Sequence, residues 1–478
     1  MIRANRTTQR PQMRWLATRL VCAVVFCCAL LSSVDAQTSK PNVLFISIDD
    51  LNNDLGCYGN TQVKSANIDR LATRGVRFDR AYVQYTLCNP SRASFLSGRR
   101  PERTGIYELQ TPPRKAMPDA VFLPQLFRQQ GYFTARFGKV YHEGRDDKMS
   151  WDVSESVEFI DAQERALHQR RYDNPPGQRT PDWTPLDTPE EQTPDARIAK
   201  AIAQLIEEKA KAGKPFFLAA GLNKPHLPWN VPKKYFSLYQ AANIKFQSDL
   251  PMRNIPSIAL MTELFGSPQP ASRAEAFAAY YSAITYMDTQ VGVLLDTLDR
   301  LKLWDNTIVV LFSDHGFHLG DHSGLWAKLT LFEQSARTPL IIALPQSKQA
   351  GKASSRIVEL LDLYPTLATL CNLPAPAGLE GRSLVPLLQQ PSADWPHAAY
   401  TMVYHEVGGE KVEGKSVRNE RWRYTEWDAG RNGVELYDHD RDPNEFNNLA
   451  ADQRYAKTLK EMKQLLQEVV SNSSKPKS

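Results

Sequence analysis

Six short stretches carry the residues with evident chemical use. They are Asp49-Asp50, Cys88 ahead of Asn-Pro-Ser-Arg92, Lys139 with His142, Lys224-Pro-His226, Asp314-His315, and Lys328 in "GLWAKLT". Adjacent carboxylates repel one another unless a cation separates them. A divalent metal does this: oxygen ligands favour Ca²⁺ or Mg²⁺, and an added imidazole such as His315 also admits a softer ion. Taken alone, paired acids after a strand serve equally as a helix cap or a salt-bridged turn. The second acidic pair, Asp314-His315, tips the reading toward metal.

Cys88 stands where a helix should begin. Pro90 suits a first turn, so residue 88 faces free backbone N–H groups, an arrangement that binds anions. Arg92 lies one turn on, on the same face. A buried inert thiol is the alternative. Lys328 also reads as a solvated helix end and His142 as a loop histidine. A rival metal candidate, "DHDRDPNEFNNL" from Asp438, has Pro443 where a calcium loop needs glycine and Leu449 where it needs a bidentate acid. It reads as a turn rich in Asx hydrogen bonds.

The elements that must position these residues alternate. "NVLFISIDD" predicts a buried strand ending in acids; "SANIDRLATRG" is a helix stopped by Gly75. "VFLPQLFRQQGYFTARFGKVYH" predicts helix, strand, then a loop from about Gly138. A helix from about Asp195, stopped by Gly213, precedes a strand at 216–220. "AEAFAAYYSAITYMDTQVGVLLDTLDRLKLWDN" is a long helix, "TIVVLFSDHG" a strand ending in Asp314 and His315, and "TPLIIALP" another buried strand. This order implies a mostly parallel α/β sheet covered on both faces, with its site beyond the carboxyl ends of the strands. The polar clusters all fall there. Residues 151–194 and 243–272 read as Pro-rich loops. Past about Pro386 the pattern changes: "RWRYTEW" and "VELYDHD" flank a turn and predict a hairpin in a small C-terminal α+β subdomain. The expected domains are therefore 37–385 and 386–478.

The chain has 478 residues, of which 42% are hydrophobic and 23% charged, with a net charge of +5. Residues 1–36 hold five arginines and one aspartate, so the remainder is near +1, and charge implies neither nucleic acid nor a membrane surface as partner. That segment reads as a secretory leader: five arginines, the apolar run "LVCAVVFCCALL", and "VDA" before Gln37. The run is shorter than the ~20 residues of a spanning helix. The expectation is an exported chain without stable membrane insertion after cleavage, periplasmic or extracellular, or lysosomal in a eukaryote. Cys22, Cys27 and Cys28 leave with the leader. Cys57, Cys88 and Cys371 remain, an odd count that marks one thiol as special; a Cys57–Cys371 disulfide is possible but unsupported.

"CNPSRASFLSGRRP" fits the sulfatase signature C-x-P-S-R-x-S-x-L-[ST]-G, and "GYFTARFGKVYH" resembles the second sulfatase signature, with Phe137 in place of a smaller residue. The resemblance runs from about Asn42 to Leu449. "GCYGN", "KPHLPW", "YMDTQVG", "SDHGFHLGDH" and "WAK" are similar to the iduronate-2-sulfatase branch, as is histidine at 315, where many other sulfatases carry asparagine. The resemblance implies an alkaline-phosphatase-like fold. It also implies that a separate maturation enzyme oxidises Cys88 to formylglycine. One hydroxyl of the aldehyde hydrate attacks sulfur; the second then provides the exit for sulfate. By the same resemblance Asp49, Asp50, Asp314, His315 and the modified residue 88 hold one Ca²⁺. Arg92 and Lys139 steady the hydrate, His142 takes the second proton, and His226 and Lys328 bind the sulfate and assist the leaving alcohol; Lys224 has no definite role. The implied substrate is a sulfated carbohydrate, such as a uronic acid unit of a polysaccharide. Trp229 against a sugar ring, or Arg418 or Arg421 against a uronic carboxylate, are further options beside plain core and sheet-surface roles. A phosphonate or phosphate monoester hydrolase, and a non-catalytic exported glycan-binding protein, are the competing functions.

Overall fold

The computed structural model describes residues 1–2, 40–157, 183–246, 250–261 and 270–474. Apart from Met1 and Ile2, the expected leader lies outside the described residues, as do 158–182 of the first expected loop and 247–249 and 262–269 of the second. Contacts divide the chain into Met1–Lys40 and a second unit, Pro41–Ser478, which carries everything below.

Strand β1 (Asn42–Ile48) has every residue buried, as its uncharged, largely apolar sequence requires. With it run β2 (Val76–Tyr82), β3 (Phe133–Gly138), β4 (Val153–Glu155), β5 (Phe216–Leu222) and β6 (Thr307–Ser313). The short β7 (His318–Gly320) and β8 (Leu325–Ala327) pair only with each other; β9 (Arg337–Ala343) and β10 (Ala353–Glu359) complete the large sheet. Its order is β10-β2-β9-β6-β1-β5-β3-β4. Strands β6, β1, β5, β3 and β4 are mutually parallel, whereas β9 runs antiparallel to both β6 and β2. Direction is not written in a uniformly apolar run such as "TPLIIALP". Residues 153–155, expected within a loop, instead form the edge strand beside β3.

Alternation along β1 divides the core. Leu44, Ile46 and Ile48 face a layer built from helices α1 (Ala66–Arg74), α4 (Pro194–Lys211) and α5 (Pro270–Leu301). Val43 and Phe45 face α2 (Cys88–Ser97), α3 (Leu123–Gln129) and α6 (Leu363–Leu370). Period-two side-chain direction therefore sandwiches the sheet between two helical layers. Cys57 packs against the first layer and Cys371 within the second; both are free. The C-terminal sheet is antiparallel: β11 (Ala399–Val407), β12 (Glu410–Arg418), β13 (Trp422–Trp427) and β14 (Gly433–Asp438), in that order. The expected hairpin is the β13–β14 pair, closing at Trp427 opposite Gly433. Helix α7 (Ala456–Ser474) packs on this sheet. Among the described residues no helix is long and apolar enough to cross a membrane.

Four neighbouring strands, β6, β1, β5 and β3, release their chains side by side at one edge, into Asp314, Asp49, Asn223 and Lys139. Two facing glycines let β3 and β5 close up there. Gly138 (φ 77°) pairs with Gly221, and a Cβ on Gly221 would stand 2.3–2.5 Å from Lys139 backbone atoms. Gly221→Ala therefore has no room without moving the Lys139 backbone. The expected result is a loss of more than about 2 kcal/mol in urea-denaturation stability, whereas Gly213→Ala, at an open helix end, loses only the roughly 1–2 kcal/mol of its left-handed backbone.

Candidate active site

Asp49 and Asp50 follow β1, and Asp314 and His315 follow β6; Cys88 opens α2. These side chains meet. Cys88 Sγ lies 3.6 Å from Asp49 Oδ1, 3.3 Å from His315 Nε2, 3.1 Å from Lys328 Nζ and 3.8 Å from Lys139 Nζ. Asp49, Cys88, Asp314 and His315 place their ligand atoms within 4.8 Å of one another, and so do Asp49, Asp50, Cys88 and His226. The ten residues to which the family resemblance gives roles thus lie together at the carboxyl ends of the strands, although they span 280 positions of chain from Asp49 to Lys328 with both ends counted.

Every carboxylate is engaged. Arg92, with no exposed surface, donates from Nε to Asp314 Oδ2 (2.9 Å), and its terminal nitrogens donate to Asp49 Oδ1 (3.1 Å), Ser47 Oγ (3.2 Å) and the carbonyl of Val140 (3.2 Å). Lys139 Nζ donates to Asp49 Oδ2, and Lys328 Nζ to Asp50 Oδ1 (2.6 Å). Three carboxylates thus stand against three permanent cations. Burial favours the neutral form of each, and the partners overcome it at some groups and not at others. Burial opposes ionisation of Asp49, but the Lys139 ammonium holds it well below the usual carboxylate range. Burial pushes Asp314 up to about 7, against the pull of Arg92 and His315. Burial likewise opposes a charge on Lys328, which Asp50 more than offsets, so it stays an ammonium. The Cys88 thiol, which burial alone would raise, is drawn far down by Lys139, Lys328 and His315.

The donor set fits a hard divalent cation. Aspartate oxygens from two strand ends converge with one imidazole, and the imidazole is held in the ligating tautomer. His315 Nδ1 donates to the carbonyl of Gly316 (3.0 Å), so its Nε2 lone pair faces Asp50 Oδ1 (3.4 Å) and Asp314 Oδ2 (3.5 Å). Without a cation a proton takes that place: burial disfavours it, but Asp314 raises the imidazole to about 9. Asp50 turns its carboxylate inward by adopting left-handed backbone, φ 63°. The surroundings hold it there. Its N–H donates to Asp314 Oδ1 (3.2 Å), and its carbonyl accepts from Tyr280 Oη (2.7 Å).

His142 and His226 border this cluster. Burial keeps the His142 imidazole below the ordinary value, hence neutral and able to accept a proton. His226 Nδ1 donates to the carbonyl of Leu227 (2.6 Å), leaving Nε2 facing Asp50 Oδ2 at 3.8 Å. Lys224, two residues before it, donates from Nζ to the carbonyl of Pro228 (2.6 Å), so its ammonium braces the loop. Trp229 is fully buried against Tyr280, Phe317 and Trp183 and is a core residue. Arg418 is buried, and Arg421 is held by Asp438 through two 2.8 Å bonds. The Asp438–Leu449 segment is a turn in which Asp442 accepts from the N–H groups of Phe446 and Asn447.

Sequence reasoning passed over Ser47, Ser91, Ser313 and Tyr280. Ser91 Oγ donates to the carbonyl of Asp314 (2.5 Å), and Ser313 Oγ accepts from the N–H of Leu51 (2.9 Å). A serine interrupting each apolar run just before its acids was the visible signal for Ser47 and Ser313. Tyr280, mid-helix and 230 residues from Asp50, carried none.

The chain is similar to known proteins. The sulfatase family profile matches residues 41–373, and the profile of the N-sulphoglucosamine sulphohydrolase C-terminal region matches 320–472. Human iduronate 2-sulfatase is 34% identical over 403 residues, covering 73% of this chain and 72% of that protein. The Delta 4,5-hexuronate-2-O-sulfatase of Bacteroides thetaiotaomicron is 30% identical over 470 residues, 93% of this chain and 92% of that one. The crystal structure of the phosphonate monoester hydrolase of Agrobacterium radiobacter superposes with a TM-score of 0.74 at 24% identity, over 91% of this chain and 96% of that chain, a likeness of fold. The expected alkaline-phosphatase-like α/β architecture with a small C-terminal antiparallel sheet is the one found.

Tyr280→Phe removes one hydroxyl without changing shape, leaving the Asp50 carbonyl and the Asn52 N–H, its partner at 2.9 Å, without that oxygen. The variant is expected to lose about 1–3 kcal/mol in urea denaturation and to bind divalent metal more weakly by titration calorimetry.

Proposed function

Because the chain belongs to the sulfatase family, we propose that it hydrolyses O-sulfate esters on a uronic acid or related sugar of a sulfated polysaccharide, using residue 88 as formylglycine and one Ca²⁺. The observation that carries the reading is the convergence on Cys88 Sγ of Asp49, His315, Lys139 and Lys328 at the start of a buried helix. An inert structural thiol gains nothing from two ammonium groups and a metal-ligand set. The names of the two relatives, one an iduronate 2-sulfatase and the other a hexuronate-2-O-sulfatase, support a 2-O-sulfated uronate as substrate.

Asp49, Asp50, Asp314 and His315, with an oxygen from the modified residue 88, would hold Ca²⁺. When bound, it polarises the ester's sulfate oxygens and lowers the pKa of the attacking hydroxyl. Formylglycine supplies a hydrated aldehyde, a nucleophile with a second hydroxyl through which sulfate can leave. The chain's own residues do the rest. Arg92 and Lys139 stabilise negative charge at the residue-88 oxygens, Lys139 from the position its ammonium now shares with Asp49. His142, kept neutral, accepts the proton of the releasing hydroxyl. Lys328 and His226 hold the sulfate oxygens and donate toward the leaving alcohol. Three carboxylates offset three cations, so adding Ca²⁺ leaves the site receptive to an anionic ester. Uncatalysed sulfate-ester cleavage requires the site to supply roughly 15–20 kcal/mol; a single cation supplies several, which accounts for the number gathered here. The leader would direct export, to the periplasm or outside the cell or to a lysosome, and a formylglycine-generating enzyme would modify Cys88 in transit.

In protein from a host with that enzyme, the tryptic peptide spanning 81–92 should be lighter by about 18 Da, through loss of sulfur and two hydrogens and gain of oxygen. Cys88→Ala should abolish turnover of a disaccharide ending in a 2-O-sulfated hexuronate. An unmodified thiol in active enzyme overturns the reading; so does faster hydrolysis of a phosphonate monoester than of any sulfate ester. Asp314→Asn should weaken Ca²⁺ binding at least about tenfold by calorimetry.

A further inference from the structure

Lys328 lies on a stretch of chain that would not hold its shape unaided. The residues on either side, Ala327 (φ 70°) and Leu329 (φ 72°), both occupy the left-handed region, and neither is glycine. Each costs roughly 1–2 kcal/mol, and such conformations persist only where the surroundings over-determine them. Two sets of contacts do so, from opposite sides.

The first is a buried chain of polar groups. His318 Nδ1 donates to Asp321 Oδ1, because a carboxylate can only accept. In the neutral imidazole its Nε2 is then the acceptor for Thr330 Oγ1 at 2.6 Å, two residues past Lys328. Asp321 is fixed in turn by the N–H of Leu319 (3.2 Å) and by His322 Nδ1 (3.0 Å). Hydroxyl, imidazole and carboxylate stand in the order of a nucleophilic triad. Thr330 and His318 have no exposed surface, so no substrate reaches them. What the chain does is tie Thr330 to the β7 end of the small hairpin, whose pairing of Ala327 with His318 holds the other side of Lys328.

The second comes from the C-terminal sheet. His405, on β11, donates from Nε2 to the carbonyl of Leu329 at 2.6 Å, while the Leu329 N–H donates to the carbonyl of Thr86 (3.2 Å). The same strand grips the segment leading into Cys88. Met402 N–H donates to the Gln84 carbonyl (3.0 Å), Thr401 Oγ1 to the Val83 carbonyl (2.7 Å), and Tyr404 N–H to Tyr85 Oη (2.9 Å). Strand β11 thus holds the approach to residue 88 and the Lys328 loop against each other.

We propose that His318 and His405 are positioning residues that fix the Lys328 ammonium beside residue 88, making the C-terminal sheet part of the catalytic geometry. The proposal rests on the role assigned to Lys328 above. Its test is a double-mutant cycle on the full-length matured enzyme, with the 2-O-sulfated hexuronate disaccharide as substrate. His405→Leu and Thr330→Val should each lower kcat/KM by about 10- to 100-fold, the cost of a misplaced catalytic group. His405→Gln, which keeps a donor at the Nε2 position, should recover most of the loss. In a Lys328→Ala background, neither His405→Leu nor Thr330→Val should lower the rate by more than about twofold, since coupled residues are not additive. Melting curves of each variant separate positioning from stability. If the fold-losses multiply in the Lys328→Ala background, or if His405→Gln is no better than His405→Leu, the proposal fails while the sulfatase reading stands. If Lys328→Ala itself turns over at the wild-type rate, the assigned role of Lys328 fails and the proposal with it; if the matured wild type cleaves no sulfate ester, the functional reading fails first.

Discussion

The structure depends on holding three carboxylates and three cations, all buried, within reach of one side chain. Desolvating any one of these charges costs several kcal/mol, and only good geometry with the opposite charge offsets it. Arg92 supplies much of that geometry. Its guanidinium spans Asp49 and Asp314, which follow two adjacent strands, and reaches past them to Ser47 and the Val140 carbonyl. A planar fork of five donors can reach these separated acceptors at once; an ammonium, with three donors on one atom, could not. The charged cluster and the end of the sheet thus hold each other in place.

Neighbouring features follow from the same demand. Residue 88 sits on a helix buried on all sides, so its position is set by the core. The Gly138–Gly221 approach brings Lys139 to Asp49. Asp50 and Leu329 accept left-handed backbone because each is tied by hydrogen bonds from distant segments, and Ala327 because it is paired with His318 in the small hairpin. Strain is thereby placed beside residue 88 and its charged neighbours, supported by rigid elements around it.

The C-terminal sheet belongs to this scheme and is more than an appended cap. Arg423 on β13 is fully buried between Glu333 and Glu445, and Glu333 also accepts from Tyr82 Oη at the end of β2 (2.8 Å). Buried ion pairs of this kind are weak evidence for stability but hold a particular register. Together with the β11 contacts around residues 83–86, they set the two sheets at one relative position, which the segments bearing Cys88 and Lys328 share.

Much of this was legible in the amino-acid order. Apolar runs ending in Asp49-Asp50 and Asp314-His315, the Gly stops at 75 and 213, and the Cys-x-Pro-Ser-Arg start of a helix are local patterns, and local patterns report strand ends, helix ends and chemical identity. That sufficed for the sheet class and for the strand ends at which these residues gather. What the sequence could not carry was anything that arises when distant segments meet. The antiparallel direction of β9, the edge pairing of residues 153–155, the bond of the Lys224 ammonium to the Pro228 carbonyl and the grip of Tyr280 on Asp50 all required the folded chain. So did the hold of His405 on the loop of Lys328, 77 positions away in the chain. A hydrogen bond between residues far apart leaves no period or spacing in the sequence; it exists only once packing has brought donor and acceptor within 3 Å or so.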